Sequence, residues 1–172
     1  MTMSWNYENE EAWLNEMSEQ GFHFQKASMI SSTFIRDSSI RYTYRLDYQT
    51  GSQKDGKFQD YVHLYQDAGW EYVSSYGNMW HYFRRVWQPG EPPELYTDRD
   101  SLVAHYKKIQ RMMGIMLLVS LGILLTNTGN LIRLIHYRWW LVVPVFAIFM
   151  IIFGLLGYGY AKMGNKINQR NK

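Results

Sequence analysis

The sequence predicts an α+β fold: a cytosolic two-layer domain followed by a two-helix transmembrane hairpin. Three observations carry this expectation. The stretch Ile40–Tyr48 alternates strictly, with Ile40, Tyr42, Tyr44, Leu46 and Tyr48 on one side and Arg41, Thr43, Arg45 and Asp47 on the other. That is the period of a strand with two chemically distinct faces. A helix–Gly–aromatic–x–aromatic order appears at Gly21 and again at Gly69, 48 positions later. Finally, Trp139–Tyr160 contains no Asp, Glu, Lys, Arg or His. As a helix it spans about 33 Å, enough for a bilayer core of about 30 Å.

Taken in order, Tyr7–Gln20 reads as a helix. Glu8, Glu10 and Glu11 fall in its first turn, where carboxylates suit the positive end of the dipole. Trp13, Leu14 and Met17 share one face, and Gly21 is placed to end the helix. Phe22 and Phe24 begin a strand, Ser31–Arg36 a second, and Asp37-Ser38-Ser39 is a turn. Ile40–Tyr48 is the third strand. Thr50–Gly56 is a polar loop. Phe58, Tyr61, Val62 and Tyr65 then give the i, i+3, i+4, i+7 spacing of an amphipathic helix. Trp70–Tyr76 and Met79–Val86 form a hairpin around Tyr76-Gly77-Asn78.

The two halves match without a gap. Trp13 aligns with Tyr61, Leu14 with Val62, Met17 with Tyr65, Phe24 with Tyr72, Phe34 with Tyr82 and Arg36 with Arg84. An internal duplication of a helix–hairpin unit is therefore expected. Its product is an antiparallel sheet of about five strands with two helices on one face. The second copy lacks the third strand, whose place is taken by Gln88-Pro89-Gly90-Glu91-Pro92-Pro93.

The domain limits follow: 1–88 for the duplicated α+β domain, 89–97 for the Pro-rich linker and 98–111 for a juxtamembrane basic helix. Residues 112–132 and 139–160 are the two spans, and 161–172 form a basic tail. Small pairs Gly122/Thr126 and Gly157/Ala161 would let helices approach closely. Lys107, Lys108, Arg111, Trp139, Trp140, Tyr158, Tyr160 and Lys162 mark the membrane interfaces.

Charge divides sharply along the chain. Residues 1–100 hold 15 acids and 9 bases, a net −6, whereas residues 101–172 hold no acid and 9 bases, a net +9. The basic balance thus belongs to the membrane part, and the acidic domain argues against a nucleic-acid partner. Seven bases flank the spans on one side: Lys107, Lys108, Arg111, Lys162, Lys166, Arg170 and Lys172. Arg133 and Arg138 lie between the spans. The positive-inside rule then puts both termini in the cytoplasm. The opening MTMSWNYENEEAW has no basic region before an apolar run, so no signal peptide is expected.

Motifs for chemistry are scarce. There is no cysteine, and none of the five histidines pairs with another at metal-ligand spacing. His23 and His81 read as ordinary exposed strand histidines. No G-x-S-x-G elbow and no Gly-rich phosphate loop is present. No cofactor, metal or catalytic group is expected. The strongest candidate site is a polar sheet face made of Arg36, Arg41, Arg45, Asp47 and Arg84, suited to a carboxylate, a phosphate or an acidic partner segment.

Several runs resemble a known family. They are Trp13-Leu14-x-x-Met17-x-x-x-Gly21-Phe22, Arg41-Tyr42-x-Tyr44-Arg45-x-Asp47, Asp67-Ala68-Gly69-Trp70-Glu71, Tyr82-Phe83-Arg84 and Leu95-Tyr96-Thr97-Asp98-x-x-Ser101. Together they resemble the uncharacterised bacterial membrane proteins of domain-of-unknown-function family 2812, over roughly residues 10–110. The resemblance implies a paired span after the domain and a place beside transcriptional regulators or envelope-stress systems. The expected function is a membrane-anchored cytoplasmic binding module with a regulatory or sensory role and no catalysis. The alternative is an accessory subunit of a membrane transporter or export complex. Expected partners are the lipid bilayer, a protein (regulator or membrane complex) and a second copy of the chain through the spans.

Overall fold

A computed structural model of the chain describes residues 4–28, 31–50, 56–77, 79–90 and 99–170. The chain divides into two compact units, Met1–Thr97 and Asp98–Lys172. Most of the expected loop at 51–55, Asn78 of the hairpin turn, and residues 91–98 lie outside the described residues.

The first unit runs a 3-10 turn (Ser4–Asn6), α1 (Tyr7–Glu19), β1 (Phe22–Ala27), β2 (Ser32–Arg36), β3 (Tyr42–Tyr48), α2 (Gly56–Asp67), β4 (Glu71–Tyr76) and β5 (Trp80–Val86). The α+β class and the element order are those the sequence predicts. The five strands divide, however, into an antiparallel β1–β2 pair and an antiparallel three-stranded sheet ordered β3-β5-β4. No ladder joins the pair to the triple, although β1 runs beside β4.

Register explains why the two helices do not share a face of the triple sheet. Tyr44 pairs with Arg84 and Leu46 with Tyr82, whereas Arg45 pairs with Phe83 and Asp47 with His81. Neighbouring residues on a strand point to opposite faces. On the face of Trp80 and Tyr82 lie α1 contacts: Tyr7 packs on Trp80 with ring centroids 5.5 Å apart, and the Tyr82 hydroxyl donates to Glu10 at 2.8 Å. On the face of His81 and Phe83 lies α2: Tyr65 stacks on Phe83 at 4.3 Å. Both faces of β3 are consequently covered, and Thr43 through Tyr48 are all buried. The polar positions of β3 look inward onto α2 and its neighbours, not outward onto solvent.

The core is aromatic. Tyr44, Tyr48, Tyr82, Phe24, Phe83 and Leu14 are all at most 2% exposed. Burying each such side chain stabilises the fold by about 1.5–3 kcal/mol. Leu14 belongs to it as expected, but Trp13 is 39% exposed and meets Phe34 edge-on at 5.5 Å.

The repeat is visible in three dimensions. A β-bulge falls between Phe24 and Lys26 in β1 and between Tyr72 and Ser74 in β4, the same positions in each copy. Gly21 and Gly69 end their helices with φ of 80° and 81°. The ungapped alignment fails in the last strand. Phe22 pairs with Arg36 and carries its guanidinium at 5.7 Å, while Arg85, not Arg84, lies over Trp70 at 4.5 Å. Likewise Phe24 pairs with Phe34, but Tyr72 pairs with Phe83. The second hairpin is one residue longer, so Arg36 corresponds to Arg85 and Phe34 to Phe83.

The second unit is two helices, α3 (Arg99–His136) and α4 (Arg138–Arg170), separated by non-helical backbone at Arg138 (φ −150°, ψ 56°). The expected basic helix and first span are one continuous helix, which runs beyond residue 132 to His136. At one end the pair is packed: Val103, Tyr106, Ile109, Met113, Met163 and Ile167 are buried. Here Gln110 donates to the Tyr160 carbonyl at 3.3 Å, and Gly164 leaves room for that amide. The anticipated small pairs are not used within the chain, for nothing lies within 4 Å of a Cβ built on Gly122 or Gly157.

Candidate functional site

Strand β3 positions Arg45 and Asp47, the two buried charges of the expected polar face, and its free edge shows what surrounds them. In a sheet this edge would leave backbone donors unpaired, which is costly when buried. Helix α1 runs along it instead. The N–H groups of Tyr42, Tyr44 and Leu46 donate to Ser18 Oγ (2.8 Å), Asn15 Oδ1 (2.6 Å) and Glu11 Oε1 (2.8 Å). The Asn15 amide also donates to the Tyr44 carbonyl at 3.4 Å, so this side chain stands in for a neighbouring peptide group. The match is geometric. Seven helical residues rise about 10.5 Å and four strand residues about 13 Å, so polar residues spaced four and three apart track alternate strand positions.

The five residues of the expected polar face are not brought together. Arg45 is buried, its guanidinium 3.7 Å from Glu11 and donating to the Tyr44 carbonyl at 2.6 Å. Asp47, also buried, accepts from the hydroxyls of Tyr61 (2.8 Å) and Tyr65 (3.0 Å) on α2. Arg84 lies on the opposite face, paired through two hydrogen bonds of 2.8 and 2.9 Å with Glu71 and lying over the Tyr42 ring at 4.5 Å. Those Glu71 bonds raise its already high pKa further. Arg36 lies over Phe22. Arg41 pairs with Glu19 at 2.9 Å and covers Trp87 at 4.5 Å, on the surface.

Two carboxylates thus serve buried phenols. Burial, then the Asp47 charge, pushes the Tyr61 hydroxyl far above the ordinary tyrosine range. Burial, then Glu10, does the same to Tyr82. Around Asp47 the rings of Phe58, Tyr61 and Tyr72 surround His81, which is 1% exposed and shares its Nε2 with the Gln49 carbonyl at 3.2 Å. His23 is buried too, at 3%, with Nε2 donating to the Asp37 carbonyl at 2.7 Å and Nδ1 facing Ser18 Oγ at 3.4 Å. Neither is the exposed strand histidine the sequence suggested, and each lies in its own aromatic setting. Among the described residues no group of three or more His, Asp or Glu side chains is placed to hold a metal ion.

The sequence places Glu11 in a helix first turn and Tyr61 and Tyr65 on an apolar helix face, but nothing in it assigns Glu11, Asn15 and Ser18 to a strand edge or the two phenols to Asp47. The one signal was that two phenols four residues apart share one helix face. Asn130, which an extended first span would be expected to bury in the helix pair, is exposed instead, and with Arg133, Leu134, Arg138 and Leu141 it lines an open recess at the tip of the helical hairpin.

An α+β unit with an internally repeated helix–hairpin, joined in sequence to two helices long and apolar enough to cross a membrane, defines the class. The chain belongs to the family described as a protein of unknown function (DUF2812), whose model matches residues 6–118. That match takes in α1 through β5 and the first part of α3, leaving α4 outside it. Comparison with curated proteins and with solved structures gave no match.

Proposed function

We propose that this protein is a membrane-anchored cytoplasmic binding module with a regulatory or sensory role and no catalytic one. The observation that carries the reading is the hairpin itself. Two helices of 38 and 33 residues are apolar enough to span. They carry seven bases at one end and only Arg133 and Arg138 at the other, which favours cytoplasmic termini. In this reading the partner surface is the place where Arg41 lies over the partly exposed Trp87, with Arg36 as a second exposed cation. Arg45, Asp47 and Arg84 hold the fold together instead, since their partners are internal.

The natural chain has no cysteine, so single cysteines report cleanly on sidedness. An impermeant thiol reagent applied to intact cells is expected to label His136→Cys. Asn9→Cys and Gln169→Cys should react only after permeabilisation. Labelling of Asn9→Cys from outside would overturn the orientation. For the binding role, cross-linking in native membranes should join the wild type to a specific protein that Arg36→Glu/Arg41→Glu no longer captures. Unchanged capture would remove this surface from the reading.

A second reading, an accessory subunit of a membrane transporter or export complex, is favoured by the unfilled space beside Gly122 and Gly157. Such small surfaces suit packing against another chain's helix. In that case cross-links should concentrate in the spans and survive both arginine changes.

A further inference from the structure

We infer that the tip of the helical hairpin is a binding site for the phosphate group of an anionic phospholipid. The inference rests on the membrane reading above and goes beyond it by naming a ligand class and the residues that hold it.

The recess at the tip is lined by Asn130, Arg133 and Leu134 from α3 and by Arg138 and Leu141 from α4. Its volume of about 330 Å³ falls at the small end of the range for ligand pockets. Three features of its chemistry converge on an anion. First, an arginine lines it on either side of the turn, and guanidinium is the side chain whose planar fork matches phosphate oxygens. Second, α4 begins at Arg138, so the recess lies against a helix N-terminus, where unpaired backbone N–H groups and the helix dipole favour negative charge. Third, the counter-ion does not come from this unit. Residues 101–172 contain no Asp or Glu. The only described acid of the unit is Asp100, more than thirty residues along the helix from Arg133, about 50 Å at helical rise. Arg41, Arg45 and Arg84 of the first unit, by contrast, have Glu19, Glu11 and Glu71 for partners. Arg133 and Arg138 line one recess, are exposed, and have no carboxylate in the described part of their own unit, so an anion from outside can reach both.

The source of that anion follows from what surrounds the recess. Leu134 and Leu141 give it an apolar wall. Ile132, Ile135, Trp139 and Trp140 are exposed next to it. Two exposed indoles opening the charge-free stretch Trp139–Tyr160 are the signature of the headgroup level of a bilayer. A ligand that offers phosphate to the arginines and acyl chain to the leucines fits both surfaces, and free phosphate fits only one. Asn130 adds a neutral amide able to donate to a phosphate ester oxygen.

The test uses the full chain, purified in mild non-ionic detergent, with native mass spectrometry counting bound lipid. Phosphatidylglycerol, phosphatidylcholine and inorganic phosphate are the three probes. The basic end of the hairpin will also attract anionic lipid, so Arg133→Gln/Arg138→Gln is compared with Lys107→Gln/Lys108→Gln/Arg111→Gln. The expected result is one tightly retained phosphatidylglycerol whose affinity falls about thirtyfold in the tip variant, about fivefold for each cation removed. That lipid should be kept in the basic-end variant, and phosphatidylcholine should bind less well. Equal retention by the wild type and the tip variant overturns the inference. So does inorganic phosphate that displaces the lipid at equal concentration, since the site would then serve a free anion. Alkaline extraction of membranes separates this failure from failure of the membrane reading: a protein that stays in the pellet while the tip variant binds lipid normally refutes the site alone.

Discussion

Asp47 shows how one side chain organises its surroundings. Its carboxylate is buried on β3 and receives two phenol hydroxyls from successive turns of α2. Hydrogen bonds to a charged acceptor contribute more than neutral ones, and the larger cost falls on whichever buried partner is left behind. Asp47→Ala is therefore expected to lower stability by about 3 kcal/mol, read as a fall in the urea midpoint. Tyr61→Phe removes a single donor and should cost about half as much. If the two changes cost the same, the carboxylate is not the centre of this cluster. Gly21 and Gly69 give a second contrast. Both have positive φ, so alanine at either is strained, by about 1–2 kcal/mol. A Cβ on Gly21 would also meet Ser38 Oγ at 2.8 Å and Ser38 Cα at 3.2 Å, while one on Gly69 meets nothing within 4 Å. Gly21→Ala should consequently depress the thermal midpoint clearly more than Gly69→Ala; equal shifts would mean that the turn at Ser38 moves freely.

At the scale of elements, α1 does the work of a missing neighbour strand. Its stripe of Glu11, Asn15 and Ser18 closes the outer edge of β3. Asn15→Ala should cost about 1–3 kcal/mol by leaving the Tyr44 N–H and carbonyl short of a partner. It should also speed amide exchange at Tyr44 selectively, and unchanged exchange there would show that the edge does not depend on this side chain. This stripe explains where sequence reading stops. Elements and their order follow from local pattern: the alternation of Tyr42, Tyr44, Leu46 and Tyr48, the helical spacing of Phe58, Tyr61, Val62 and Tyr65, and glycines that end helices. A polar stripe on a helix reads as a solvated face, because nothing local says that a strand edge lies beside it. The polar side of β3 misleads in the same way, since Arg45 and Asp47 find partners on α1 and α2. Arg84 does not share their face, because face assignment across strands depends on register. One extra residue in the β4–β5 hairpin moves the match with Arg36 from Arg84 to Arg85, a shift that exchanges the two faces.

At the scale of the whole molecule, the two units differ in what holds them together, and pH should separate them. The first unit owes much of its core to phenols that burial keeps protonated: Tyr44, Tyr48, Tyr61 and Tyr82 all have pKa values raised in the folded state. Below the ordinary tyrosine value, near 10, folded and unfolded chains bind the same number of these protons. Above it the unfolded chain releases them and the folded one does not, so stability falls as pH rises. The slope is about 1.4 kcal/mol per pH unit for each phenol held fully protonated. The packed end of the helical pair rests mainly on Val103, Ile109, Met113, Met163 and Ile167, which do not titrate, with Tyr106 and His105 the ionisable side chains buried among them. For the full chain in non-ionic detergent, the near-ultraviolet circular dichroism of the aromatic core should be stable from pH 8 to 9. It should then collapse cooperatively above about pH 10, with tyrosinate absorbance appearing in the same step. The far-ultraviolet helical signal of α3 and α4 should outlast that transition. Tyrosinate that appears gradually while the near-ultraviolet signal persists would mean that the phenols reach solvent in the folded state. The carboxylates of Glu10 and Asp47 would then not be holding a sealed aromatic core.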